Sequence, residues 1–231
     1  EISEDIEEKK IDAPARMSID RVFSLKGFGT IVTGTLIEGK ISIDDEMTIY
    51  PSEKKVKVRN LQVHGCDVKT AYAGQRTAIN LSNIKVSEIQ RGDVIAETGS
   101  VEESMMIDVN ISLVEHCKKS LKHWDRIRVF HGTKQILCRI VPLNEDEIPY
   151  GESGYAQLRL EEKIVAKKGD RFIIRSYSPM DTIGGGIIID TAPKKHKIYD
   201  ESVIETLKIK EKGELKDIIE EYLKLNLSNY N

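Results

Sequence analysis

The sequence predicts a mainly β protein: two tandem small antiparallel β-barrels, followed by the helical start of a further domain. Three observations predict it. Short stretches of alternating apolar and polar residues recur from Pro14 to Ala192, each closed by a turn signal. No segment of that span carries an apolar stripe of helical period long enough for a helix. Beyond Pro193 the character changes, and a helical stripe replaces the alternation.

Residues 1–13, opening "EISEDIEEKK", read as a polar linker or a helix remnant. Residues 14–98 hold "MSIDRVFSLKG", "GFGTIVTGTLI", "ISIDDEMTIY", "KVKVRNLQVHG", "AGQRTAINL" and "RGDVIAE". In the first of these, Met17, Ile19, Phe23 and Leu25 fall on one side of the pleat. So many short strands in so short a span predict a closed barrel, because closure leaves no exposed edge. Residues 99–192 repeat the pattern. "MMIDVNISLVE" alternates through Ile107, Val109, Ile111 and Leu113, and five more strand-like segments follow, ending in "GGGIIID". Residues 193–231 read as a linker, "TAPKKHKIYD", and the first helix of another domain. There Leu215, Ile218, Ile219, Tyr222 and Leu223 fall at i, i+3, i+4, i+7 and i+8, an apolar face with little in this chain to cover it.

The composition excludes several classes. Charged residues make up 32% and hydrophobic ones 39% of the 231 residues, which suits a soluble globular protein of one large or two small domains. No apolar run approaches the ~20 residues of a membrane helix, and no signal peptide opens the chain, so a cytoplasmic protein without membrane partners is expected. The chain starts at Glu1, which suggests a piece of something longer. Cys66, Cys117 and Cys138 are odd in number and lack C-x-x-C spacing, so they read as reduced thiols rather than a disulfide frame or zinc site. A net charge of −3 argues against holding nucleic acid by bulk electrostatics. Locally, though, Lys167, Lys168, Arg171 and Arg175 gather on one predicted hairpin, where a solvated face and a binding surface explain them about equally well.

One stretch imitates a phosphate-binding loop. "GTLIEGKI", Gly34–Ile41, has the two glycines and Lys40 at the spacing of G-x-x-x-x-G-K-[ST], but Ile41 stands where a hydroxyl must ligate Mg²⁺. Its flanks are β-branched strands, so a hairpin turning at Gly39 is expected and no nucleotide site. His64 and His131 each precede a glycine and read as turn residues; His116 and His123 lack metal spacing. No nucleophile–base pair or paired carboxylate stands out, so no catalytic residue and no metal site is predicted. "TIGGG", Thr182–Gly186, could form a phosphate nest, but after a strand it reads better as a tight hairpin or bulge. Arg21 falls on the same predicted face as Ile19 and Phe23, where a charge is costly unless paired, and Asp20 falls on the other. From the residues alone, Arg21 capping the barrel mouth and Asp20–Arg76 forming a surface pair remain open.

The opening "DRVFSLKGFGTIVTGTLIEGKISIDDE", the strand "AGQRTAINL" and the close "RGDVIA" resemble the second and third domains of translational GTPases, over residues 14–192. Within that superfamily the chain is similar to the bacterial-type selenocysteine-specific elongation factors, on Asp20–Arg21, Leu61–Gly65, Phe130–Thr133, Leu158–Glu162 and Arg175–Gly186. The resemblance implies translation-factor barrels, domain II at 14–98 and domain III at 99–192, with the first helix of a winged-helix domain in 193–231. It implies a parent GTPase that binds GTP and Mg²⁺ through a separate domain absent from this chain, so this fragment is expected to be no enzyme and to hold no cofactor. It implies delivery of selenocysteinyl-tRNA to the ribosome, with winged-helix domains that bind the selenocysteine insertion element of the mRNA.

By the same resemblance, Asp20, Arg21 and Arg76 match the positions of a selenocysteine pocket. The arginines would face the selenolate, and Asp20 would orient them or meet the aminoacyl amine. A selenol is largely ionised at neutral pH whereas a serine hydroxyl is neutral, and arginine offers a permanent charge in a fixed fork. Lys167, Lys168, Arg171 and Arg175 would contact the tRNA backbone. The alternatives are the matching domains of elongation factor Tu or of an archaeal-type initiation factor, or a free-standing nucleotide-binding enzyme. The Asp20–Arg21 pair and the C-terminal helix weigh against the translation-factor alternatives.

Overall fold

The computed structural model describes residues 11–115 and 119–212. They divide into two compact units whose boundary along the chain falls between Glu103 and Ser104. Each is a closed, six-stranded antiparallel barrel, as the alternation predicts.

The first unit contains β1 (Arg16–Leu25), β2 (Gly29–Glu38), β3 (Lys40–Ser42), β4 (Glu46–Tyr50), β5 (Lys54–Val63), β6 (Cys66–Val68), β7 (Thr70–Tyr72), β8 (Arg76–Ser82) and β9 (Val94–Ala96). The hydrogen-bonded order β4–β9–β1–β2–β8–β5 returns from β5 to β4 and closes the barrel. β6 extends β5 as a hairpin, and β3 pairs with β7. Alternate residues such as Met17, Ile19, Val32, Leu36, Val58, Leu61 and Ile79 fill the interior.

Two expectations for this barrel need correction. The register of β1 against β2 pairs Ile19 with Gly34 and then Arg21 with Thr33, so Asp20 is an extra, bulged residue. One extra residue reverses the in–out parity beyond it. Met17 and Ile19 are buried, but past the bulge Val22 packs on the core while Phe23 and Leu25 are 37% and 49% exposed. Phe23 and Leu25 therefore do not share the face of Met17 and Ile19, and Arg21 is exposed rather than set on a buried face. The loop that imitates a phosphate site is also not a hairpin. Gly39 has φ +72° and turns the chain, but β3 pairs with β7 instead of β2. Its other glycine faces the bulge: a Cβ on Gly34 would lie 2.2 Å from the Ser18 carbonyl oxygen. Ile41 is fully buried in the core.

The second unit contains β10 (Glu103–Leu113), β11 (Leu121–Lys122), β12 (Arg126–His131), β13 (Lys134–Pro142), β14 (Glu147–Ile148), β15 (Ser153–Val165), β16 (Arg171–Ser176) and β17 (Thr182–Asp190). The barrel order is β10–β15–β13–β12–β16–β17, and β11 pairs with β14 at its side. Ile107, Val109, Ile111, Val129, Cys138, Ile140, Leu158 and Ile174 belong to its core. The run Thr182–Gly186 lies inside β17, where Ile183 is the extra residue of a bulge against β16.

Helix α1 (Glu201–Lys212) follows. The sequence placed its helix at Leu215–Leu223, which lies outside the described residues. α1 occupies the stretch just before, where Val203, Ile204 and Leu207 make too short a stripe to stand out. Asp200 caps it, accepting hydrogen bonds from Ser202 N at 3.1 Å and Ser202 Oγ at 2.6 Å. Leu207, 1% exposed, packs with Val141, Leu143 and Ile189 on the second barrel. Glu211 accepts hydrogen bonds there from Tyr155 Oη (2.6 Å) and Asn110 Nδ2 (2.7 Å). Leu207→Ala is predicted to cost about 2–4 kcal/mol of this docking. Hydrogen exchange should quicken across residues 201–212 while β12 and β13 stay protected; quickening spread equally over the barrel would contradict a local role.

Candidate functional site

The bulge in β1 assembles a charged trio on the outside of the first barrel. β2 lies between β1 and β8. In β8, Thr77, Ile79 and Leu81 point inward and Arg76 outward, as the alternation predicts. Arg76 reaches across β2 to grip Asp20 with both arms of its fork: Nη1 donates to Oδ2, and Nη2 to Oδ1 at 3.2 Å. Thr33 of β2 donates its hydroxyl to the same Oδ1 at 2.6 Å.

Partial burial pushes the Asp20 carboxyl upward, but hydrogen bonds from Arg76 and Thr33, with the charges of Arg76 and Arg21, outweigh it and hold the group below its ordinary value. The hydrogen bond to Asp20, and then its charge, raise Arg76 in turn. Arg21 stands exposed beside them and acts on Asp20 through charge. A groove of about 200 Å³ opens next to Arg76, lined also by Thr33, Gln62, His64 and Ala78. His64 (φ +52°) and Gly65 (φ +79°) form the two-residue turn between β5 and β6, the role expected of His64. A larger open groove of about 690 Å³, bordered by Arg59, Asn83 and Lys85, lies elsewhere on this barrel and includes none of the trio.

The four cations predicted on the second barrel are not one cluster. Lys167 and Lys168 sit in the β15–β16 turn, where Lys167 N donates to Asp170 Oδ2 at 2.9 Å. Arg171 and Arg175 both point outward from β16, about 13 Å apart along the strand, with exposed Ile173 between them. Arg175 instead faces Arg128 across the β12–β16 pair, while Arg126 of β12, Arg139 of β13 and Arg159 of β15 point outward on the strands beyond. The sequence reading missed these four. Their only signal was outward parity in "DRIRVF", "LCRIV" and "LRLEE", which becomes a cluster only once the strand order is known. His131 is a second correction. It ends β12, is 9% exposed, and its Nε2 lies 3.0 Å from Asp170 Oδ2, a buried structural pair rather than a turn residue.

Cys66 is an exposed free thiol, and burial pushes the Cys138 thiol up to about 12. His116 and Cys117 lie outside the described residues. Among the described residues no group of three His, Cys, Asp or Glu could hold a metal ion, and no helix is long and apolar enough to cross a membrane.

Residues 108–195 match the family described as selenocysteine-specific elongation factor, beta-barrel domain, and residues 29–96 match elongation factor Tu domain 2. A selenocysteine-specific elongation factor of Desulfomicrobium baculatum is 38% identical over 192 residues, 83% of this chain and 30% of that protein. One from Methanocaldococcus jannaschii is 29% identical over 229 residues, covering 84% of this chain and 48% of that one. The crystal structure of a bacterial selenocysteine-specific elongation factor superposes with a TM-score of 0.79 at 25% identity, over 95% of this chain and 35% of that chain. The chain thus spans about a third to a half of the length of these relatives.

The lowered Asp20 carboxyl makes a testable claim about pH. A depressed value in the folded state adds stability above the unfolded value, near 3.9, and that stability is lost as pH falls through the folded value. Asp20→Asn should therefore be less stable than the unmodified chain at neutral pH, with the gap closing below about pH 4. Urea unfolding at both pH values checks this; a gap independent of pH would show that the Arg76 bond does not favour the ionised carboxylate.

Proposed function

Because the chain belongs to the selenocysteine-specific elongation factors through its two barrel domains, we propose that it is the aminoacyl-tRNA-binding part of such a factor, with the selenocysteine side chain read by Asp20, Arg21 and Arg76. The observation that carries this is the trio's geometry. Two guanidinium groups and one carboxylate leave one net positive charge on an outward face, beside a groove of side-chain size. A selenolate brings one negative charge to that site. A serine hydroxyl brings none and leaves the cations underpaired.

Asp20 has a positioning part in this reading. It locks the Arg76 fork across three strands before any ligand arrives, so little side-chain freedom is lost on binding. Arg21, without an ion pair of its own among the described residues, is the cation best placed to swing onto the selenolate. Lys167, Lys168, Arg171 and Arg175 would meet the tRNA backbone, which positions the ligand without reading sequence.

GTP and Mg²⁺ belong, in this proposal, to a separate domain of the parent factor, which would deliver selenocysteinyl-tRNA to the ribosome in the cytoplasm. Winged-helix domains following the second barrel would bind the selenocysteine insertion element of the mRNA. Catalysis would rest, in this reading, with that GTPase domain. The match of residues 108–195 to the selenocysteine-specific barrel favours this reading over the corresponding domains of elongation factor Tu.

Arg76→Ala in the full-length factor should weaken selenocysteinyl-tRNA binding by roughly ten- to a hundredfold and leave the weaker seryl-tRNA binding nearly unchanged. Arg76→Lys should restore only part, since it keeps the charge without the fork. Dissociation constants for both aminoacyl forms decide it. Equal loss for both would mean that Arg76 holds the barrel or the tRNA rather than the selenium.

A further inference from the structure

The second barrel closes where its first strand meets its last, β10 against β17. That seam is weak from within. At one end Leu113, Ser112 and Ile111 of β10 stand opposite Gly184, Gly185 and Gly186 of β17, so three successive rungs lack the cross-strand side-chain pair that stabilises a sheet. Glycine is required there: a Cβ on Gly184 would lie 2.3 Å from the Ser112 carbonyl oxygen, and one on Gly186 2.1 Å from that of Asn110. At the other end Asp108 stands opposite Asp190, and like charges directly across a strand pair destabilise it. Asp108 is also 1% exposed, where a carboxylate is costly unless partnered.

The chain that follows β17 supplies what the seam lacks. His196 Nε2 lies 2.6 Å from Asp108 Oδ2, and Lys210 Nζ of α1 donates to Asp190 Oδ2. Among the described residues these are the ion pairs of the two opposed carboxylates. Gln157 of β15, the other neighbour of β10, donates from its amide nitrogen to Asp108 Oδ1 at 2.8 Å and to the Lys194 carbonyl at 2.9 Å. Asn110 of β10 and Tyr155 of β15 donate to the two carboxylate oxygens of Glu211. One segment therefore holds β15, β10 and β17 from outside, and Leu207 seals it against Ile189 of β17.

We propose that residues 191–212 act as a buckle on this seam: docked, they hold the barrel shut, and drawn off, they let β10 and β17 part. A segment that merely covered apolar surface would not need to carry the partners of two opposed acids. Its withdrawal leaves Asp108 buried without its ion pair and still facing Asp190, so segment and seam open as one cooperative unit. β12 and β13, on the opposite side of the barrel order, stay paired. Coupling of this kind is reciprocal. Whatever tightens the seam tightens the hold on the segment, and a pull arriving along the chain beyond Lys212 is passed into the barrel. The device belongs to the second barrel and does not depend on how the first barrel reads its ligand.

The test is hydrogen exchange read by mass spectrometry on the 231-residue chain. His196→Gln combined with Lys210→Gln should quicken exchange about tenfold or more in residues 193–212 and, together with them, in β10 and β17, leaving β12 and β13 within about twofold. Adding Asp108→Asn removes the opposed charge and keeps an oxygen for Gln157. β10 and β17 should then regain protection while residues 193–212 remain quick. Lys210→Gln alone, which leaves Asp108 paired, should quicken the same strands less, and it keeps the comparison readable if the double variant does not fold. Quickening confined to residues 193–212 would overturn the proposal, because the seam would then hold by itself. Equal quickening in every strand of the barrel would overturn it too, as would an added Asp108→Asn that restores no protection.

Discussion

Asp20 is one residue too many for the register between β1 and β2, and the outer surface of the first barrel is organised around that surplus. Up to Ile19 the strand alternates into the core; beyond the bulge Val22 takes the inward place, and Arg21 moves to solvent. The bulged carboxylate projects over β2, within reach of Thr33 and of the Arg76 fork from β8. Gly34, facing the bulge, has no Cβ to collide with the Ser18 carbonyl. Partial burial works against the ionised carboxylate, and the hydrogen bonds outweigh it. Three strands are thereby tied by one side chain, and the Arg76 fork is fixed beside a groove.

Much of this was legible in the chain, and the failures share one cause. Alternation alone sufficed for two barrels, and for Arg76 pointing away from Ile79 and Leu81, because a regular strand keeps its parity. It failed for Phe23, Leu25 and Arg21, because a bulge leaves no local mark in "SIDRVF". It failed again for the imitation phosphate loop. The isoleucine at position 41 is buried in the core, yet the pairing partner of β3 depends on a strand some thirty residues away. His131 was misread because its partner, Asp170, is distant in sequence. α1 was missed because its apolar stripe is three residues long and gains its meaning from Val141 and Ile189 on the barrel.

The two barrels handle charge in opposite ways. In the first, Asp20 binds a cation in advance and leaves a single positive charge, a site suited to one small anion. In the second, arginines oppose arginines across strand pairs, with Glu161 engaged by Arg126 among the described residues. A chain of net charge −3 carries both because the acidic residues lie elsewhere. Net charge describes solubility and long-range attraction, whereas the local sign decides what a face can hold. α1 uses Glu211 and Lys210 to dock on the second barrel, a third use of charge.

If the trio around Asp20 reads charge, it should respond to any aminoacyl side chain that can be switched from neutral to anionic. Cysteine provides the switch, since its thiol ionises near 8.5. The decisive measurement is the affinity of the full-length factor for amide-linked cysteinyl-tRNA between about pH 6.5 and pH 9.5, with the seryl form as reference. A cationic pocket predicts that cysteinyl-tRNA binds at least about tenfold more tightly once the thiolate forms, while the seryl form stays flat. A cysteinyl affinity that does not change across that range, or that tracks the seryl form, would contradict charge as the property these three residues recognise.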